Sequence, residues 1–198
     1  MRVLHGYLTD IMKNSGAITK ENEAVVVYGL KGILIMLINT LSVLLVGFFM
    51  GVLVYIGFLL LNFAIIRSFT GGYHAKSEIR CFILSNIFIA IAGFLITKIS
   101  MVDAIMIVIY LIANILIVAL SPLDDEVRKT TPNEKKRYRK IIVGVIVIQM
   151  VALLLPLGEK FKIVLMFSNY LVSLLLVIGW LRLKIVRFRQ SVMGLNRT

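Results

Sequence analysis

Residues 32–66 read GILIMLINTLSVLLVGFFMGVLVYIGFLLLNFAII and contain no charged side chain. Extended back to Ala24, with Lys31 as its single charge, the stretch would form a helix about 64 Å long at 1.5 Å per residue. The hydrocarbon core of a bilayer is about 30 Å thick, so the stretch must fold back once and cross the membrane twice. Two glycines in Gly47-Phe-Phe-Met-Gly51 permit a tight reversal, which predicts the turn at this point.

The composition of the whole chain is that of an integral membrane protein. Of its 198 residues, 60% are hydrophobic and 16% are charged, and the mean hydropathy is +0.96. These values lie outside the range of an ordinary soluble domain. Six spans are predicted at about residues 25–46, 51–66, 82–97, 104–120, 141–157 and 161–181.

The two ends of the chain flank these spans. Residues 1–23 place apolar side chains at the spacing of one helix face, which predicts an amphipathic helix lying in the membrane interface. Residues 182–198 form a basic tail. The predicted fold is therefore an all-α polytopic membrane protein with six transmembrane helices, forming one domain over residues 1–198.

The distribution of basic residues predicts the orientation. Of the 22 Lys and Arg residues, 19 fall on the side that holds both termini, and only Lys98, Lys160 and Lys162 fall on the other. By the positive-inside rule, both termini are cytoplasmic. Most of the net charge of +12 is explained in this way, so the charge does not indicate a nucleic-acid partner.

The polar segment between the second and third spans holds a candidate catalytic pair. Cys81, the single cysteine of the chain, lies seven residues after His74, one of its two histidines. An imidazole can take the proton of a thiol near neutral pH, because their reference pKa values are about 6.5 and 8.5. A single cysteine excludes an internal disulfide and a cysteine-rich zinc site, and we predict no metal or cofactor.

The length of the third span places Cys81 at a helix end. A span of about 20 residues would begin near Glu78, so Cys81 would lie in the first helical turn, at the cytoplasmic interface. A helix N-terminus lowers the pKa of a thiol, and its free N–H groups can stabilise an oxyanion.

Spacing restricts how the pair can work. Residues seven apart on one regular helix are separated by about 10.5 Å of rise, too far for direct proton transfer. The backbone between them must bend back, which Gly71-Gly72 permits, or the pair must form across a dimer. Glu78, Ser77 and Asn86 lie near in sequence, but none can be assigned as the group that orients His74.

These residues resemble a known family, the accessory gene regulator B (AgrB) proteins, which are membrane cysteine endopeptidases of Gram-positive quorum-sensing systems. The specific part of the resemblance is Arg67, followed by Gly72, His74, Ala75 and Cys81. A looser match is Ser121-Pro122, followed by Pro132 and the basic run of residues 135–140.

The resemblance implies roles for these residues. His74 would be the general base and Cys81 the nucleophile. Arg67 and Gly72 would act in substrate binding, and Lys135, Lys136 and Arg137 would attract an acidic tail.

The implied partner is a propeptide of AgrD type with an amphipathic leader, a signal segment and an acidic C-terminal tail. Cleavage would pass through a thioester, and an internal Cys or Ser would close a thiolactone or lactone ring. The resemblance also implies a homodimer in the cell membrane, in contact with lipid and with its active site on the cytoplasmic side.

Two rival hypotheses come from other classes of protein. A small transporter or peptide exporter without proteolytic activity is disfavoured because the spans, apart from Lys31, carry no charged residue or histidine. A pore built on Asn side chains and backbone carbonyls remains open. A scaffold without enzymatic activity would leave the pair of His74 and Cys81 unexplained.

The spans carry six amide side chains. We predict that they form hydrogen bonds between helices, the usual role of such residues in a membrane. They are Asn39, Asn62, Asn86, Asn114, Gln149 and Asn169.

Overall fold

The computed structural model describes residues 23–71, 78–123 and 130–192, and within these residues the protein is all-helical, as predicted. Six helices follow one another: α1 (Glu23–Phe49), α2 (Leu53–Thr70), α3 (Glu78–Lys98), α4 (Ala104–Leu120), α5 (Pro132–Leu154) and α6 (Glu159–Val192). Residues 1–22 of the predicted interfacial helix and the last residues of the basic tail lie outside the described residues, as do His74 and Gly72.

Three segments are long and apolar enough to cross a membrane: Gly32–Phe49 in α1, Leu53–Thr70 in α2 and Glu159–Val186 in α6. Phe82–Lys98 in α3 and Ala104–Leu120 in α4 are shorter apolar helices. The chain is therefore a membrane protein with several apolar helices. Six spans remain a prediction.

The predicted reversal after the first span is confirmed. α1 ends at Phe49, and the amide of Val52 donates to the carbonyl of Gly47 at 2.9 Å, which closes a turn. Gly51 has φ +68, a conformation that glycine adopts without steric cost. The described part of α3 begins at Glu78.

Two helices extend beyond the spans predicted for them. The fifth span was predicted to begin at residue 141, yet residues 132–140 already form the first turns of α5, because Thr131 and Glu134 make a capping box and Pro132 occupies the first turn. The second is α6, which continues past residue 181, the predicted end of the last span, to Val192. Basic residues end the apolar run there, but Lys and Arg are good helix formers, and residues 182–192 contain no Gly or Pro.

The helices pack around α2 and α6. In α6, 56% of the membrane-spanning segment is buried inside the protein, whereas α1 has 11% buried and lies at the edge of the bundle. One core cluster joins α1, α2, α3, α4 and α6, and a second joins α2, α4, α5 and α6. Ile56, Leu59 and Ile66 of α2 are fully buried in these clusters.

Amide side chains link four helices inside the bundle. Asn169 on α6 donates to Oδ1 of Asn114 on α4 at 2.8 Å and to Oε1 of Gln149 on α5 at 2.9 Å. Gln149 in turn donates to Oδ1 of Asn62 on α2 at 3.3 Å. Asn114, Gln149 and Asn169 are buried. The prediction of hydrogen bonds between helices is confirmed for all four residues.

The remaining two amides differ from each other. Asn86 on α3 accepts a hydrogen bond from Ser42 on α1 at 2.8 Å, which confirms the prediction. Oδ1 of Asn39 is buried and has no hydrogen-bond partner in the described part of the chain, so the prediction is wrong for this atom.

Candidate active site

Cys81 lies in the first turn of α3, which begins three residues earlier at Glu78. The first N–H groups of a helix have no partner within the helix, and the helix dipole places partial positive charge there. A helix N-terminus in general lowers the pKa of a cysteine thiol. His74 and Gly72 belong to the segment 72–77, outside the described residues.

Arg67, the first residue of the predicted motif, lies in the last turn of α2 and is partly buried. Its Nη1 donates a hydrogen bond to the carbonyl of Gly71, the residue that ends the helix. A cation at this position also interacts favourably with the negative end of the helix dipole. The structure thus gives Arg67 a part in holding the chain where it enters the motif.

Gly71 contacts a distant part of the chain. It forms a parallel β-bridge with Leu123, and the amide of Leu123 donates to the carbonyl of Thr70 at 2.9 Å. A Cβ atom added to Gly71 would lie 2.5 Å from the carbonyl oxygen of Leu123. No side chain fits between these two backbones, so the contact requires glycine.

The segment that carries Leu123 is held from α5. Nη2 of Arg139 donates to the carbonyl of Ser121 at 3.3 Å, next to a cis peptide bond between Ser121 and Pro122. The ring of Tyr138 packs on the ring of Phe69 in α2, with centroids 5.9 Å apart. The end of α2, the end of α4 and the start of α5 therefore meet at one end of the bundle. We call this meeting point, formed by residues 67–71, 121–123, Tyr138 and Arg139, the junction.

The first turns of α5 carry the predicted tail-binding residues. Lys136 and Arg137 are exposed and Lys135 is partly exposed. Glu134 is the acidic residue of the first turn, and its carboxylate accepts from the amide of Thr131 at 2.8 Å within the capping box. This part of α5 therefore presents basic side chains directly beside the junction.

The opposite end of the bundle holds the three lysines that the sequence assigned to the other side. Nζ of Lys160 donates to the carbonyls of Ile96 and Ile99, the latter at 2.9 Å, and so caps the end of α3. Lys162 pairs with Glu159 at 3.1 Å, and Glu159 also accepts from the amide of Val102 at 3.0 Å. Lys98 lies over the ring of Phe94. These lysines therefore contact the protein at the end of the bundle opposite to the junction.

The structure brings together some of the predicted site residues. Arg67 lies near the first turns of α5, through the junction, and Cys81 lies on α3, the next helix along the chain. Sequence reasoning missed Gly71, Leu123 and Arg139 as partners. In the sequence, only Gly71-Gly72 and Ser121-Pro122 pointed to these two segments, and neither pair shows which residues come into contact. The described residues include no group of three or more His, Cys, Asp or Glu side chains suited to a metal ion.

Comparison with known proteins gives two matches. The family model described as Accessory gene regulator B matches residues 6–185. A protein of Clostridium perfringens (strain SM101, type A), described as AgrB-like, is 24% identical over 173 residues, which cover 81% of this chain and 79% of the relative. No solved structure matches the chain.

Proposed function

Because the chain belongs to the accessory gene regulator B family, whose members process quorum-sensing peptides, we propose that it is a membrane cysteine endopeptidase acting on a signal-peptide precursor. It cleaves the acidic tail from an AgrD-type propeptide and promotes closure of the remaining peptide into a ring. The site lies on the cytoplasmic side of a six-span, single-domain protein that works as a homodimer.

One observation carries the proposal. The only thiol of the chain, Cys81, lies three residues after Glu78 on the apolar helix α3 and six residues after the element Gly72-Tyr-His-Ala75. A structural cysteine would be expected at any position along a buried helix face. A cysteine at a helix N-terminus, with an imidazole a few residues upstream, has the environment of a reactive nucleophile.

The proposed chemistry has two acyl transfers. His74 takes the proton of Cys81, and the thiolate attacks the carbonyl carbon that precedes the tail. The peptide C–N bond breaks, the tail leaves with a new amino terminus that receives the proton from His74, and the signal segment is held as a thioester. A thiol or hydroxyl inside the signal segment then attacks the thioester, which releases Cys81 and closes a thiolactone or lactone.

The basic face of α5 suits the acidic tail of the substrate. Lys136 and Arg137 are exposed, Lys135 is partly exposed, and the junction places this helix beside the motif end of α2. Arg67 and Gly72 complete the proposed substrate contacts around the scissile bond. Attraction between opposite charges concentrates the tail at the site and falls with ionic strength.

A covalent intermediate provides the direct test. Wild-type protein in lipid vesicles, mixed with a propeptide whose ring-closing Cys is replaced by Ala, is expected to accumulate a thioester on Cys81. Mass spectrometry of the intact protein would show the added signal segment, and hydroxylamine would remove it. Release of the tail without any such adduct, or an adduct at another residue, would contradict the proposal.

Neutralising the exposed basic residues of α5 is expected to weaken substrate binding. Each exposed ion pair is worth about 0.2–1 kcal/mol, so Lys136→Gln with Arg137→Gln should raise KM roughly 2- to 30-fold with little change in kcat. The measurement is tail release from an acid-tailed and a neutral-tailed propeptide at several salt concentrations, with Lys98→Gln at the opposite end as the control. An equal change for both propeptides would exclude tail recognition by α5.

A further inference from the structure

We infer that Gly71 is a positioning residue, which, through its contact with Leu123, fixes where the segment carrying His74 leaves α2. The inference rests on the proposed function, because it concerns the geometry of the same catalytic pair. It is independent of Gly72, the glycine of the family-like motif.

The backbone of Gly71 is the first reason. With φ +66 and ψ −149, it occupies a region that is essentially restricted to glycine. Its φ is similar to that of Gly51, the other described glycine with a positive φ. The surroundings differ, since a Cβ on Gly51 would meet no atom within 4 Å, whereas one on Gly71 would collide with the carbonyl oxygen of Leu123.

The second reason is that both sides of this contact are held by arginine. Arg67 donates to the carbonyl of Gly71 on one side, and Arg139 donates to the carbonyl of Ser121 on the other. Charge-assisted hydrogen bonds are stronger than neutral ones. Residues from α2, α5 and the segment after α4 therefore all help to fix the backbone at Gly71. Capping the end of α2 would require fewer contacts than these.

Because few residues separate Gly71 from His74, the contact between Gly71 and Leu123 is required for catalysis. His74 follows Gly71 by three residues, so its Cα lies at most about 11 Å from that of Gly71. Six residues, 72–77, connect Gly71 to the start of α3, which carries Cys81. A general base must come within about 2.6–3.2 Å of its partner, and a misplacement of 1 Å can cost about 100-fold in rate. The direction of the chain at Gly71 therefore controls whether the pair can meet.

The experiment compares Gly71→Ala with Gly51→Ala, which introduces a similar positive-φ strain at the other end of α2 without a collision. Both variants are assayed with wild type in lipid vesicles for kcat and KM of tail release, for thermal stability and for the rate of Cys81 alkylation by iodoacetamide at pH 7. Gly71→Ala is expected to lower kcat about 100-fold at unchanged KM, and to slow alkylation. Gly51→Ala is expected to keep the wild-type kcat and alkylation rate.

Other outcomes are decisive as well. Wild-type kcat in Gly71→Ala, or losses in both variants that simply follow the loss of folded protein, would overturn the inference. If Gly71→Ala does not insert, Arg139→Met removes the bond to Ser121 without backbone strain. A lower kcat at unchanged KM in Arg139→Met would then support the inference, and an unchanged kcat would overturn it.

The proposed function fails by a different result. If wild type and Cys81→Ser release the tail equally, the peptidase assignment is wrong whatever Gly71→Ala does. If Cys81→Ser is inactive and Gly71→Ala is fully active, only the positioning role is wrong.

Discussion

Cys81→Ser and His74→Ala are each expected to abolish release of the propeptide tail while the protein remains inserted in the membrane. The chain has no second thiol to replace Cys81, and a serine hydroxyl is far harder to deprotonate than a thiol. Loss of a general base typically costs about 10²–10⁴-fold in rate, so His74→Ala should fall near or below detection. Mass spectrometry of the released tail, at matched amounts of vesicle-bound protein, makes the measurement.

Mixing the two inactive variants distinguishes the two arrangements that the sequence leaves open. If His74 and Cys81 of the same chain form the pair, a dimer of one Cys81→Ser chain and one His74→Ala chain remains inactive. If the pair forms across two chains, the mixed dimer regains one complete site. Recovered cleavage would exclude the arrangement within one chain, and full cleavage by either single variant would contradict the catalytic roles altogether.

The sequence predicted those parts of the fold that depend on local pattern. The break near Gly51 follows from the length of the apolar run, which is too long for one crossing of a bilayer. The start of α5 was missed because charge was taken as the sign of a loop. Thr131, Pro132 and Glu134 together form a helix start whose signal is equally local, and they identify this boundary correctly.

In the candidate site too, the sequence predicted the features that depend on local pattern and missed the contacts between distant residues. The positions of Arg67 and Cys81 near helix ends could be read from sequence, because spacing along a helix determines them. The contact between Gly71 and Leu123 could not be predicted, since it joins residues far apart in the chain through backbone atoms that any residue possesses. For the same reason, the partners of Asn169 were predicted as a class but not individually.

Asn169→Leu is expected to cause the largest loss of stability among substitutions in the spans. Asn169 is fully buried, donates to both Asn114 and Gln149 and accepts from Ser168, so leucine would remove three hydrogen bonds and leave two buried acceptors without their donors. A hydrogen bond between membrane helices is worth about 1–2 kcal/mol in model peptides, and an unsatisfied buried polar group costs about 1–3 kcal/mol. The expected decrease in the free energy of unfolding is about 2–5 kcal/mol.

Trp180, the only tryptophan, lies on α6 together with Asn169, so its fluorescence during unfolding in mixed micelles reports on the right helix. Asn86→Leu is the matched control, because Asn86 is only partly buried and makes a single bond between helices, to Ser42. Adding Asn114→Leu to Asn169→Leu removes one of the two stranded acceptors and should therefore recover part of the lost stability. The double variant could instead be less stable than Asn169→Leu by as much as Asn114→Leu alone destabilises the wild type. In that case lost packing, rather than an unpaired amide, determines the stability of this bundle.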